Sequence, residues 1–282
     1  MTKDEAKKKI CEIVDEISLD KSKDFGSLSA VKFDSKETTD QSIEEFEKNH
    51  PVGGCIVPDN IDELPKLSLG STKFVSPAEL DLRGYCTWII DQGQNPICAG
   101  AGMAQMVSNI YFRKNNYPEK FDAMKIYKEA KRIEGNNDDG TTLTAVMQAA
   151  LNFKYFDAEK CKIRTIYHTR NAIELVKYAI HKFGIMLLGL NITSEWYAAN
   201  KKKTSITGNG NYRVCGGHCV CATGFIGDEA KDMDNGGIII TNSWGPSWAC
   251  KGSALITYRE FEKEFMYGCA LSNTLDGFDV VR

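Results

Sequence analysis

The chain has no excess of basic residues, no apolar run of export-signal or membrane-spanning length, no internal repeat and no low-complexity tract. Its 35 Lys and Arg stand against 38 Asp and Glu, for a formal net charge of −3. The basic face that a phosphate backbone demands is therefore missing, and nucleic acid is not an expected partner. The first ten residues, MTKDEAKKKI, are mostly charged and no long apolar stretch follows them, so export by the usual route and membrane insertion are both unsupported. An intracellular setting follows as the expectation, in a cytoplasm or in a virion or its host cell. Histidine is scarce, at four residues, so any chemistry that needs an imidazole has few places to find one.

The 282 residues are 42% hydrophobic and 26% charged, which is ordinary globular composition and allows one large or two modest domains. Ten cysteines would suit disulfides in an exported protein, but without an export signal free thiols in a reducing compartment are the default. Asn191-Ile192-Thr193 fits the glycosylation sequon, which has meaning only in a secreted chain.

Residues 1–76 form a charged extension distinct from residues 77–282. A helical pattern of Ile10, Ile13, Val14 and Ile17 opens the extension. Beyond Leu19 it turns polar, with scattered Phe25, Phe33 and Phe46, and Pro51, Gly53, Gly54, Pro58 and Pro65 punctuate an irregular connection. From Pro77 the texture changes. The strongest helical pattern runs from about 98 to 113, with Met103, Met106, Val107, Ile110 and Tyr111 on one face. Pro96 suits its start, and Gly100, Ala101, Gly102 and Ala104 suggest another segment packing closely there. Further helices are expected at about 122–134, 142–153 and 172–182. Short β-branched runs follow at 185–192, 220–225, 237–241 and 254–257. Helices first and strands later point to an α+β class.

Cys98 lies at the expected helix start, where a helix N-terminus or a neighbouring imidazolium would stabilise its thiolate. Alone, such a cysteine is more often a small packed residue. Its neighbours change the reading. Gln92 is spaced so that its carboxamide could swing back over the helix start and, with the Cys98 N–H, face a developing oxyanion. Of the four histidines, His50, His168 and His181 have no motif around them, whereas His218 follows Gly216-Gly217 and opens a strand. Asn242 closes the apolar run Ile238-Ile239-Ile240, where an amide could hold the working tautomer of an imidazole, and Trp244 could shield that hydrogen bond from water.

With these residues in place the chain resembles the papain-like, cathepsin-type cysteine peptidases. The resemblance rests on Asp81-Leu82-Arg83, Asp91-Gln92-Gly93 followed by Cys98, Gly217-His218, and Asn242-Ser243-Trp244-Gly245 with Trp248, and spans about 77–265. It implies Cys98 as nucleophile, His218 as base and then acid, Asn242 as orienter and Gln92 as oxyanion donor. It also implies two lobes, helical over about 98–160 and β-rich over about 161–270, with the cleft between them. Peptide or protein would be the substrate, with no metal or other cofactor. Gly140, before a helix start, resembles the edge that pairs with an extended substrate, although a helix-start loop explains it equally well. Gly217 and Trp244 complete the substrate-contact candidates. The resemblance further allows residues 1–76 to block the cleft until removed, although the family's usual propeptide helix motif is not found.

Departures accompany it. Asn95 stands where a cysteine is usual, Pro96-Ile97 replaces Gly-Ser, Ala99 replaces an aromatic residue and Gly217 stands where many members carry an acid. These variants are closest to compact, disulfide-poor enzymes of microbes and large DNA viruses. Two other readings stay open: a catalytically silent binding protein of the same fold, and a metal site from Cys215, His218, Cys219 and Cys221. An acyltransferase would more typically carry Asp where Asn242 stands.

Overall fold

The computed structural model describes residues 43–69, 74–136, 138–199 and 203–274. The helical pattern at Ile10 to Ile17 lies outside the described residues, as does Cys11. The remaining nine cysteines are all free, and no helix among the described residues is long and apolar enough to cross a membrane.

The centre of the molecule is a helix, Cys98–Asn115 (α2; α1 is the short helix Ile43–Asn49). Every residue from Cys98 to Phe112 is buried, so this helix is enclosed on all sides rather than amphipathic. Its small residues explain how. A Cβ on Gly100 would lie 2.6 Å from the Ala123 carbonyl oxygen, and one on Gly102 would lie 2.9 Å from the Cys219 Sγ. The backbone of a helix thus presses on it from one flank and the side chains of a strand from another. Arg113 and Lys114 occupy the last turn, and Asn116 ends the helix in the left-handed region at φ 52°, its N–H bonded to the Phe112 carbonyl.

The flanking helices are Ala123–Glu134 (α3) and Leu143–Asn152 (α4). Asp122 and Thr142 cap them, each side chain accepting from a backbone N–H in the first turn, at Lys125 and Ala145. Two short strands, Cys55–Ile56 (β1) and Thr141–Thr142 (β3), pair in parallel just before α4.

The second layer is an eight-stranded sheet. Its members are Glu79–Asp81 (β2), Ile163–Tyr167 (β4), Met186–Thr193 (β5), Ser205–Ile206 (β6), Val214–Ile226 (β7), Gly237–Thr241 (β8), Ser253–Thr257 (β9) and Phe265–Leu271 (β10). The order is β4-β10-β5-β7-β8-β9-β6, with β2 paired to β7. Ala172–Phe183 (α5) and Tyr258–Glu264 (α6) lie against this sheet. The helical and β-rich halves are those of an α+β, two-lobed architecture.

Local differences from expectation have physical causes. The strand expected from 220 begins at Val214, because Gly216, Gly217 and His218 pair with Ile192, Asn191 and Leu190 of β5 despite their poor strand propensity. Strands β4 and β10 were not anticipated; their neighbours in the sheet, rather than a period-two pattern, hold them extended. The region expected to be polar and irregular contains α1, with Glu44 and Glu45 in its first turn and Lys48 in its last.

Replacing Gly224 tests the β2–β7 contact, since a Cβ there would lie 2.2 Å from the Leu80 carbonyl oxygen. Gly224→Val is expected to lower stability by about 1–3 kcal/mol, read as a lower midpoint in urea unfolding. An unchanged midpoint would mean that β2 does not lie against β7.

Candidate active site

The loop before α2 and the loop after β8 are tied to each other. Gln92 N–H donates to the Ser243 carbonyl at 2.8 Å and Gly245 N–H to the Ile90 carbonyl at 2.9 Å. Gln105 of α2 anchors the pair by accepting the Ile90 N–H at 3.0 Å. The Gln92 carboxamide is buried and oriented from both ends. Its oxygen accepts from the Ser243 hydroxyl at 2.6 Å, and its nitrogen donates to the Asn95 carbonyl at 3.0 Å. One carboxamide N–H remains for another acceptor.

Cys98 is the first residue of α2, and Ile97 supplies no side-chain cap, so the helix-start N–H groups stay open. The Cys98 sulfur lies within reach of the backbone N–H groups of Cys219, Ala99 and Cys98 itself. The Cys219 contact matters most for geometry, because it places the thiol against the strand residue that follows His218.

His218 Nε2 is 2.7 Å from Asn242 Oδ1, and the same oxygen accepts the Ser243 N–H at 2.8 Å. An amide oxygen only accepts, so Nε2 carries the proton and Nδ1 is the nitrogen with a free lone pair. That Nδ1 is buried and has no hydrogen-bond partner among the described residues. The Trp244 ring covers the imidazole at 4.9 Å between centroids and is itself stacked on Tyr197 at 4.9 Å. Trp196 meets the imidazole edge-on at 6.2 Å.

Burial pushes the Cys98 thiol up to about 11, although the three backbone N–H groups pull the other way. Burial likewise pulls the His218 imidazole down to about 4, against the opposing effect of Asn242. Both groups are neutral near pH 7 in this state. A thiolate–imidazolium pair is therefore disfavoured while both groups are buried.

Residues 53–54 pass directly over the Cys98 thiol. Gly53 N–H donates to the Gly217 carbonyl at 2.8 Å and Thr141 N–H to the Gly54 carbonyl at 3.1 Å. The chain passes so near the thiol that a Cβ on Gly54 would lie 2.8 Å from the Cys98 Sγ. Gly140, at φ +81°, and Gly217 make room from the two walls; a Cβ on either would strike the Gly53 or Cys55 carbonyl at 2.8 or 2.2 Å. On the far side of Cys98, Phe46 and His50 stack together and lean on Trp244. His50 Nδ1 is 3.0 Å from the Phe46 carbonyl, and its Nε2 is 3.2 Å from Asp91. Gly140, Gly217 and Trp244 therefore all line the path of this segment. His50, Gly53, Gly54 and Cys55 were passed over because the extension offers no motif; the adjacent glycines were the one available signal.

The four residues weighed as metal ligands do not converge. Cys219 and Cys221 face α2, with the Cys221 thiol 3.2 Å from the Gly102 carbonyl, whereas His218 faces Asn242. Among the described residues no group of three His, Cys, Asp or Glu is arranged to hold a metal.

No family model matches the chain, and no curated protein matches it. Solved structures do. Xylellain, a cysteine protease from Xylella fastidiosa, matches with a TM-score of 0.60 at 15% identity, over 80% of this chain and 96% of that one. Procathepsin B from Trypanosoma congolense matches with a TM-score of 0.59 at 11% identity, over 82% and 88%. Recombinant stem bromelain precursor matches with a TM-score of 0.56 at 15% identity, over 96% and 92%. The fold is the papain-like fold, and the structures sharing it are cysteine proteases.

The depressed His218 value carries a pH signature. The closed state favours neutral imidazole, so this contribution is fully present above the ordinary value of 6.5 and lost as pH falls through about 4. The loss amounts to about 3 kcal/mol. Urea midpoints at pH 7 and pH 4.5 are expected to differ less in His218→Gln than in the unsubstituted chain. Equal pH dependence in the two would contradict a buried neutral His218.

Proposed function

We propose that this chain is a cysteine endopeptidase of the papain-like type, held closed by its own N-terminal extension. The observation that carries the reading is an extended main chain crossing the Cys98 thiol between Gly217 and Gly140–Thr141, so that the cleft already holds a peptide. Three further features support it: a thiol at an uncapped helix start, an imidazole whose free lone pair is Nδ1, and a carboxamide with an N–H to spare.

In the open cleft, His218 Nδ1 takes the Cys98 proton and the thiolate attacks the scissile carbonyl. The oxyanion is met by Gln92 and the Cys98 N–H. The C–N bond breaks as His218 returns the proton to the leaving amine, which leaves a thioester. Water, deprotonated by His218, releases the acid and regenerates the thiol. Asn242 keeps Nε2 protonated throughout, so Nδ1 alone exchanges protons. Opening the cleft also restores water to the pair, which lowers the thiol and raises the imidazole from their buried values.

The extension, 1–76, is the inhibitory element in this reading. Two of the similar solved structures are themselves a procathepsin and a precursor, and residues 53–54 cross the Cys98 thiol here. Nine free cysteines suit a reducing compartment, consistent with an intracellular site of action. The rival reading is a silent binding protein with this fold.

Limited proteolysis near residues 73–77 is expected to switch on both hydrolysis of a fluorogenic peptide and labelling of Cys98 by an epoxide inhibitor. Cys98→Ser should abolish at least about 10³ of the activity and Asn242→Ala should retain a measurable fraction. No labelling at any pH between 5 and 8 would favour the silent protein. Full activity with Met1 or Thr2 still at the N-terminus would rule out an obligatory prosegment.

A further inference from the structure

We propose that Cys219 is a resolving thiol for Cys98: when a peroxide oxidises Cys98, Cys219 closes a disulfide with it, a reversible cap that keeps the site from irreversible oxidation. This rests on the reading of Cys98 as a nucleophile that gives up its proton to His218, and it gives Cys219 a role that peptide hydrolysis does not use. Cys219 is fully buried and directly follows His218 on β7.

The two residues already meet. The Cys98 sulfur is within reach of the Cys219 N–H. The Cys219 sulfur in turn rests on α2, because a Cβ on Gly102 would lie 2.9 Å from it, and Gly102 is one turn beyond Cys98. Residues four apart on a helix have Cβ atoms about 5–6 Å apart, so the two side chains are separated on the scale that a disulfide spans, up to about 6.8 Å between Cα atoms. Among the described residues the Cys219 thiol makes no hydrogen bond, whereas the Cys221 thiol is held to the Gly102 carbonyl at 3.2 Å. The Cys219 sulfur is thus the one on this strand that is left to turn toward the helix start. A resolving partner must also remain when the cleft is open. Cys219 does, whereas Cys55, whose sulfur lies beside Gly189 and Tyr267, belongs to the extension.

The chemistry balances with one peroxide. The Cys98 thiolate, its proton on His218, attacks a peroxide oxygen; the O–O bond breaks, and the hydroxide that leaves takes the His218 proton and departs as water. Cys98 is then a sulfenic acid. The Cys219 sulfur attacks the Cys98 sulfur, the S–S bond forms as the S–O bond breaks, and the hydroxide leaves with the Cys219 proton as a second water. Two thiols have lost two electrons and one peroxide has gained them. Burial holds the Cys219 thiol well above its ordinary range, so the first encounter with peroxide falls to Cys98, which has a base to ionise it. In a reducing compartment two small-molecule thiols, joined to each other as they are oxidised, return both cysteines. A second peroxide that met the sulfenic acid first would carry Cys98 to a sulfinic acid, which thiols do not reverse.

The test treats the full-length chain with hydrogen peroxide, before and after limited proteolysis near residues 73–77, and maps its cysteines by mass spectrometry with and without dithiothreitol. A peptide pair joined through Cys98 and Cys219 is expected, and reduction should return most of Cys98 to alkylation by iodoacetamide. In Cys219→Ala the joined pair is lost, trapping of a Cys98 sulfenic acid by dimedone should rise at least about fivefold, and reduction should recover at least about threefold less alkylatable Cys98. Cys221→Ala should behave as the unsubstituted chain. Absence of the joined pair both before and after proteolysis would overturn the proposal, as would a Cys98 that joins only to Cys55 or equal recovery in Cys219→Ala. Should Cys219→Ala not fold, Cys219→Ser and the mapping of the unsubstituted chain still decide. A chain that hydrolyses no peptide yet forms the Cys98–Cys219 pair keeps the resolving thiol and loses the peptidase. A working peptidase whose oxidised Cys98 reduction fails to recover does the reverse.

Discussion

The contact on which the site depends is the flat approach of the α2 start to strand β7. Gly102 permits it, because a Cβ there would lie 2.9 Å from the Cys219 sulfur. Helix and strand come from opposite ends of the sequence, and each carries half of the chemistry. Cys98 sits one turn before Gly102, and His218 immediately precedes Cys219, so the approach that seats the helix also sets the thiol beside the imidazole's strand. A larger residue at 102 would act on the site as a change in spacing rather than as a lost functional group. The Ile90–Gly245 and Gln92–Ser243 pairings then fix the carboxamide and the Asn242 turn relative to the same helix.

Burial does two opposing things at this centre. It protects the His218–Asn242 hydrogen bond beneath Trp244, which strengthens it. It also penalises any charge on Cys98 and His218, which keeps both neutral. The indole over the imidazole comes from the loop after β8, whereas the chain over the thiol is the segment at Gly53–Gly54. Orientation and ionisation therefore have different sources: Asn242 sets the tautomer of the imidazole, and burial disfavours its charged form.

The residues of the candidate site stood out in the sequence more than the segment that crosses them did. Cys98, His218, Asn242 and Gln92 were legible because each is a chemically distinctive side chain at the end of a periodic element, and the helix start and strand end that carry them have local signals. Strand β7 was half legible. Its apolar part, from Val220, reads as a strand, whereas Val214 to Cys219 is extended only because β5 pairs with it. The docked strand was not legible at all. Its pairing with Thr141–Thr142 is long-range, two residues long and made by backbone, and backbone partnership leaves no side-chain code.

Glycine at 53 and 54 sets how close the segment comes to the thiol. Where the segment crosses the sulfur there is no side chain, and Gly54 allows the main chain closer to the thiol than any Cβ would permit. The segment also pairs in parallel with Thr141–Thr142, so the direction of its backbone is fixed by hydrogen bonds to Thr141 on one side and Gly217 on the other. The residue at the inward position of the segment, Cys55, is small, and its sulfur lies beside Gly189 and Tyr267.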